Sequence, residues 1–284
     1  MRNTPVRFKI RGVVAIVTCF SLLVGCGSTK ETVLLSLDEL YTQAMEKFNK
    51  KDYLDAIDDF KAITVQYQGS EYADDAQFHL AECRFRRDEY ILAASEYDIL
   101  IKTMPSSKFA TRARYLKALS YYNLSPKSQL DQKYTLEAID DFQSYIEYSP
   151  TDTLVKDAET KITELNDKLA KKEFDNGRLY FTLEFYRAAV KYFELVMDQY
   201  HDTPYAPRAM VWKARSLKEH KDYAAALDVV TGFFEKYPDN DLRDDALQLK
   251  DEIEKELVQS HHEGNQNSHA SFNTMKGWDK NRFE

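Results

Sequence analysis

An alanine recurs along this chain in one fixed register. Ala56, Ala93, Ala138, Ala189 and Ala226 are each followed four residues later by a large residue: Phe60, Tyr97, Phe142, Phe193 and Val230. Sixteen residues after each alanine a second pattern opens, at Tyr72, Phe109, Leu154, Tyr205 and Leu242, with a further alanine four residues on at Ala76, Ala113, Ala158, Ala209 and Ala246. Between the two, Pro105, Pro150 and Pro238 stand twelve residues after the alanine, where a proline ends a helix. Small side chains at fixed helical spacing let two helices cross closely. One helix pair cannot bury its apolar face alone, so five such pairs must stack.

The small residue of each first helix completes the unit, at Ala44, Ala81, Ala118, Gly177 and Ala214. This arrangement resembles the tetratricopeptide (TPR) repeat, although the usual first-helix tryptophan is missing, so the copies are degenerate. The resemblance implies an all-α solenoid of five TPR helix pairs, over about 36–69, 70–106, 107–151, 152–202 and 203–239. Successive second-helix alanines are not evenly spaced. The extra residues before Ala138 fit a loop at 125–132, SPKSQLDQ, inside the third repeat. Those before Ala189 lie in 157–177, a proline-free Lys/Glu-rich run that reads as one long helix entering the fourth repeat. A capping helix is expected over 240–260. The polar, aperiodic stretch 261–284 is expected to be a disordered tail.

The N-terminus carries an address. Arg2, Arg7, Lys9 and Arg11 precede the apolar run GVVAIVTCFSLLVG at 12–25. A basic segment followed by about 14 apolar residues is a signal peptide pattern, too short to span a bilayer about 30 Å thick. The run ends in Leu23-Val24-Gly25-Cys26. This resembles a bacterial lipobox, which implies cleavage after residue 25, lipid on the Cys26 thiol and a lipidated linker over 26–35. The alternative is an ordinary secretory signal that happens to contain cysteines, as Cys19 does. Gly27 follows Cys26 in place of the Asp that resembles an inner-membrane retention signal, so the expected address is the outer membrane.

Removing 1–25 with its four basic residues takes the formal charge from −8 to about −12. That balance argues against general nucleic-acid binding. Glycine and proline are scarce, at 8 and 7 residues, which agrees with few long loops. Beyond Cys26 the processed chain keeps only Cys83, so no disulfide framework exists; its place in HLAECRF reads as a buried thiol. His261, His262 and His269 fall in the tail without the spacing of a metal site, and no phosphate-binding glycine motif occurs. The expectation is therefore a protein that is not an enzyme, with no metal and no cofactor besides the lipid.

The first helices carry aromatic pairs seven residues apart: Tyr41/Phe48, Phe78/Phe85, Tyr115/Tyr122 and Phe174/Phe181. Seven residues are two helical turns, so each pair shares a face. Such a row reads either as inter-repeat core or as the lining of a groove for an apolar peptide. Arg86 and Arg112 flank it and offer a carboxylate partner. The candidate groove is thus Tyr41, Phe48, Phe78, Phe85, Arg86, Arg112, Tyr115 and Tyr122.

Taken together, lipobox, linker, five repeats with a lengthened fourth and a terminal helix resemble the BamD family, outer-membrane TPR lipoproteins of the β-barrel assembly (BAM) machine. The stretch LAECRFRRDEYILAASEYDILIKTMPSSKFATRARYLKALSYY at 80–122 carries most of the likeness. The resemblance implies a scaffold on the periplasmic face of the outer membrane. Its C-terminal repeats, about 177–258, would dock a BamA-like Omp85 barrel subunit. Its N-terminal repeats, about 36–124, would receive the C-terminal signals of unfolded outer-membrane proteins, which end in an aromatic residue and a free carboxylate. The alternative is another TPR lipoprotein of the envelope, a Tol-associated or cell-division coordinator or a pilus-assembly pilotin.

Overall fold

The computed structural model describes residues 35–280. The expected signal peptide, Cys26, most of the linker and residues 281–284 lie outside them. Within that span the chain is helical, with no strand among the described residues. Five helix pairs follow one another: α1 (Leu37–Asn49) and α2 (Tyr53–Gln66), α3 (Ala73–Arg86) and α4 (Tyr90–Thr103), α5 (Ala110–Leu124) and α6 (Lys133–Tyr148), α7 (Val155–Thr182) and α8 (Tyr186–Gln199), α9 (Tyr205–Glu219) and α10 (Tyr223–Lys236). The last helix, α11 (Arg243–Lys280), packs on α10. This is the all-α solenoid of stacked helix pairs that the alanine register predicts, as the TPR resemblance implies.

The register explains the packing. All five second-helix alanines, the four first-helix alanines and the five alanines of the second pattern are fully buried. So are Phe60, Tyr97, Phe142, Phe193 and Val230. Gly177 takes the small-residue place in α7 for a steric reason: a Cβ there would lie 2.6 Å from the Phe193 ring. The buried residues form a series of clusters along the solenoid, one spanning the second and third repeats and the start of α7, another joining the fifth repeat to α11. No helix among the described residues is long and apolar enough to cross a membrane.

Two kinds of turn alternate. Within a pair, the first helix ends on a residue with φ near 60°, at Lys51, Asp88, Glu184 and Lys221. Each lies five residues before the repeat alanine. The following amide donates back to the carbonyl five residues earlier, as Asp52 N does to Lys47 O (2.9 Å) and Glu89 N to Arg84 O (3.0 Å). That is the Schellman closure, made here without glycine. In the third repeat the loop 125–132 replaces it. Gln132 is buried and its amide donates to Lys127 O and Leu130 O, while Lys168 and Lys172 of α7 donate to Ser125 Oγ and Leu130 O.

Between pairs, every repeat uses the same three backbone bonds. In the second repeat they run from Met104 N to Leu100 O, Ser107 N to Met104 O and Ala110 N to Ser107 O. The middle position holds Ser70, Ser107, Asp152, Thr203 or Asn240. Three of these side chains accept from the amide two residues on, at Phe109, Leu154 and Leu242. Short polar side chains that bond their own backbone favour such turns.

The long α7 and the 125–132 loop are found where the spacing puts them. The tail differs: α11 continues through 261–280 as helix instead of ending at 260. No proline follows Pro238. A helix anchored by buried Ala246, Leu249 and Ile253 extends by propagation without a second nucleation step.

Candidate functional site

The repeats build a cleft of about 660 Å³ between the second and third repeats. Phe78, Phe85 and Arg86 come from α3, Tyr97 from α4 and Arg112 from α5, with Phe109 at its start. Phe78 stacks on Phe109 at 4.4 Å between ring centroids and leans on Tyr97 at 5.9 Å. Phe85 meets Tyr90 edge-on at 5.3 Å. Leu116 and Leu119 of α5 complete the apolar wall.

The polar groups divide sharply. Arg86 donates to Glu82 at 3.0 Å. That bond holds the Arg86 pKa above its ordinary value. Asp88 accepts from the Tyr90 hydroxyl at 2.6 Å and makes no ion pair with the described residues. Arg112 likewise makes no hydrogen bond or ion pair with them; its guanidinium lies 5.5 Å from the Tyr115 ring. Tyr97 is fully buried, yet its hydroxyl has no hydrogen-bond partner among the described residues. Burial pushes its pKa up, Glu82 adds to the rise, and Arg112 and Arg86 oppose it. The cleft therefore holds a neutral orphan hydroxyl within the field of two guanidiniums. An unsatisfied buried hydroxyl costs about 1–3 kcal/mol.

The sequence explains why the cleft lies here. Three residues before the first-helix alanine stand Tyr41, Phe78 and Tyr115, and one residue before the alanine of the next repeat stand Asp75, Arg112 and Asp157. Tyr41 donates to Asp75 at 3.5 Å, and Tyr115 donates to Asp157, so both flanking junctions are tied shut. Phe78 and Arg112 cannot make that bond. Two residues before the alanine, His79 fills the first junction between Phe48 (4.9 Å) and Phe60 (5.6 Å). Trp212 does so in the fourth, against Phe181 (5.1 Å) and Phe193 (6.3 Å). Leu116 holds the same place in the cleft and has no ring to fill it.

Of the eight groove residues expected from sequence, four come together: Phe78, Phe85, Arg86 and Arg112. Tyr41 stacks on Tyr72 at 4.3 Å and packs with Phe48 against the first-repeat core. Tyr115 is buried against Phe142 and Tyr145. Tyr122 donates to Glu164 at 2.5 Å, which raises its pKa to about 12. An unbroken aromatic row is thus not what the helices build. Sequence reasoning missed Tyr97, Phe109, Glu82 and Asp88. Tyr97 had a readable signal: it alone carries a hydroxyl among the five large residues four places after the repeat alanine.

The remaining chemistry is sparse. Cys83 is buried and free, and burial lifts its thiol pKa to about 12. No cluster of side chains suited to a metal occurs among the described residues.

Comparison with known proteins places this architecture. Residues 35–219 match the family described as YfiO, outer membrane lipoprotein. Outer membrane protein assembly factor BamD of Rickettsia prowazekii (strain Madrid E) is 32% identical over 191 residues, covering 66% of this chain and 76% of that protein. BamD of Caulobacter vibrioides is 26% identical over 202 residues, covering 69% of this chain and 66% of that protein. A TPR repeats protein from Bacteroides fragilis NCTC 9343 is similar at 15% identity and a TM-score of 0.41, covering 77% of this chain and 97% of that structure; at that level the likeness adds nothing to the helix pairs themselves. The chain belongs to the YfiO family of outer membrane lipoproteins, the family that includes the BamD assembly factors.

Proposed function

We propose that this protein is a lipid-anchored scaffold of outer-membrane protein assembly that binds polypeptides and transforms none. The observation that carries the reading is the family match, made to relatives named as assembly factors over about two thirds of the chain. The signal peptide is removed and lipid on Cys26 holds the solenoid at the periplasmic face of the outer membrane. Each buried CH₂ of an acyl chain contributes about 0.8 kcal/mol, so more than one chain gives a stable anchor. The anchor raises the effective concentration of the scaffold beside the barrel-forming subunit. A BamA-like Omp85 subunit docks on the C-terminal repeats.

Clients enter at the cleft of the second and third repeats. The last aromatic side chain of an unfolded outer-membrane protein packs on Phe78, Phe85 and Phe109, and its terminal carboxylate takes the unpaired Arg112 and the Tyr97 hydroxyl. Arg86, already bonded to Glu82, contributes field rather than a free donor. Charge-assisted bonds in such a site are about twice as strong as neutral ones.

Pull-down from detergent-solubilised outer membranes tests the assembly role. An Omp85-type barrel subunit should be captured; capture of a Tol or secretin component instead overturns the reading in favour of another envelope lipoprotein. Cys26→Ala should release the protein from the membrane fraction, and continued membrane fractionation contradicts lipidation.

A further inference from the structure

The cleft is bipolar. Its two carboxylates are Glu82 and Asp88, and its two guanidiniums are Arg86 and Arg112. Glu82 and Arg86 satisfy each other at 3.0 Å, which leaves one group of each sign without an ionic partner among the described residues: Arg112 and Asp88. Tyr90 fixes the Asp88 carboxylate through one oxygen and leaves the other free. The backbone fixes it further, because Asp88 is the residue with φ 60° in the Schellman turn that closes α3. That turn also places Phe85, whose carbonyl accepts from Asp88 N at 3.1 Å, against the same wall. A ligand with a carboxylate alone would answer Arg112 and the orphan Tyr97 hydroxyl and leave the acidic rim unanswered.

Resting on the peptide reading above, we infer that Asp88 is a specificity-determining residue which selects client termini carrying a basic side chain within the last few residues. The terminal carboxylate seats on Arg112 and Tyr97, the aromatic residue fills the apolar floor, and a Lys or Arg side chain reaches back to Asp88 at the mouth. An acidic side chain in that place meets like charge. The site thus reads a short charged-and-aromatic chain end and not an extended internal segment, in keeping with the tied junctions on either side.

The test uses full-length protein in detergent micelles and labelled ten-residue peptides read by fluorescence anisotropy. All end in Phe with a free carboxylate and are identical except for Lys or Glu within the last four positions. The Lys peptide should bind about fivefold tighter than the Glu peptide at low salt, as expected for gaining one exposed ion pair and losing one repulsion. Asp88→Asn should abolish the difference, since Asn tolerates the left-handed backbone and still accepts from Tyr90. Equal affinities, or a preference that persists in Asp88→Asn, overturn the inference and leave the peptide reading standing. Failure of both peptides to bind overturns the peptide reading and the inference together.

Discussion

A buried tyrosine hydroxyl without a partner is a poor way to build a core. Phe142 and Phe193 fill the equivalent place in their repeats without one. Tyr97→Phe should therefore raise stability, by about 1 kcal/mol in urea unfolding, since it removes an unsatisfied buried group. The same substitution should weaken client-peptide binding several-fold. A stability gain without a binding loss would show that the hydroxyl has no recognition role. The sequence displayed Tyr97 openly, but only the fold shows that it stands against Phe78 in the wall of a cleft.

Charge at single residues also sets a pH dependence. Burial works to raise the Asp98 pKa, but Lys102 at 2.6 Å and Lys117 at 2.9 Å outweigh it and hold it below its ordinary value. A carboxylate whose pKa is lowered on folding contributes stability above its unfolded pKa, about 4, and loses it as pH falls through the depressed value. Asp98→Asn should therefore lower the melting temperature at pH 7 and have little effect near pH 3. An equal loss at both values would assign the effect to packing.

At the scale of elements, the helix pairs were legible because their register is written in alanines, which have no alternative role at a close crossing. The long α7 and the 125–132 loop were legible as departures from that register. The end of α11 was not, because helix propagation from a packed anchor leaves little trace in a polar sequence. The open junction was illegible for another reason. It depends on pairs of residues in different repeats, Phe78 with Arg112 against Tyr41 with Asp75 and Tyr115 with Asp157, and on Leu116 standing where Trp212 and His79 stand elsewhere. Leu116→Trp should plug the cleft as Trp212 fills its own junction. Peptide affinity should fall at least tenfold while the protein stays folded, because the ring has about 660 Å³ to enter. Unchanged affinity would place the client elsewhere.

At the scale of the whole molecule, the five helix pairs follow one another in chain order, each packed on the next. The family match spans 35–219 and so ends with α9, leaving α10 and α11 beyond it. The cleft lies well inside the matched span, and the proposed docking repeats reach past its end. Substitutions in the cleft should accordingly leave capture of the barrel subunit intact, because residues without shared partners act nearly independently.

Whether Arg112 reads a free chain terminus is decided by a double-mutant cycle. Affinities are measured for a client C-terminal peptide as the free acid and as the amide, against the unsubstituted protein and Arg112→Gln. Amidation should cost the unsubstituted protein about tenfold, or about 1.4 kcal/mol, and should cost Arg112→Gln little. The same amidation penalty in both proteins would mean that Arg112 does not hold the terminal carboxylate.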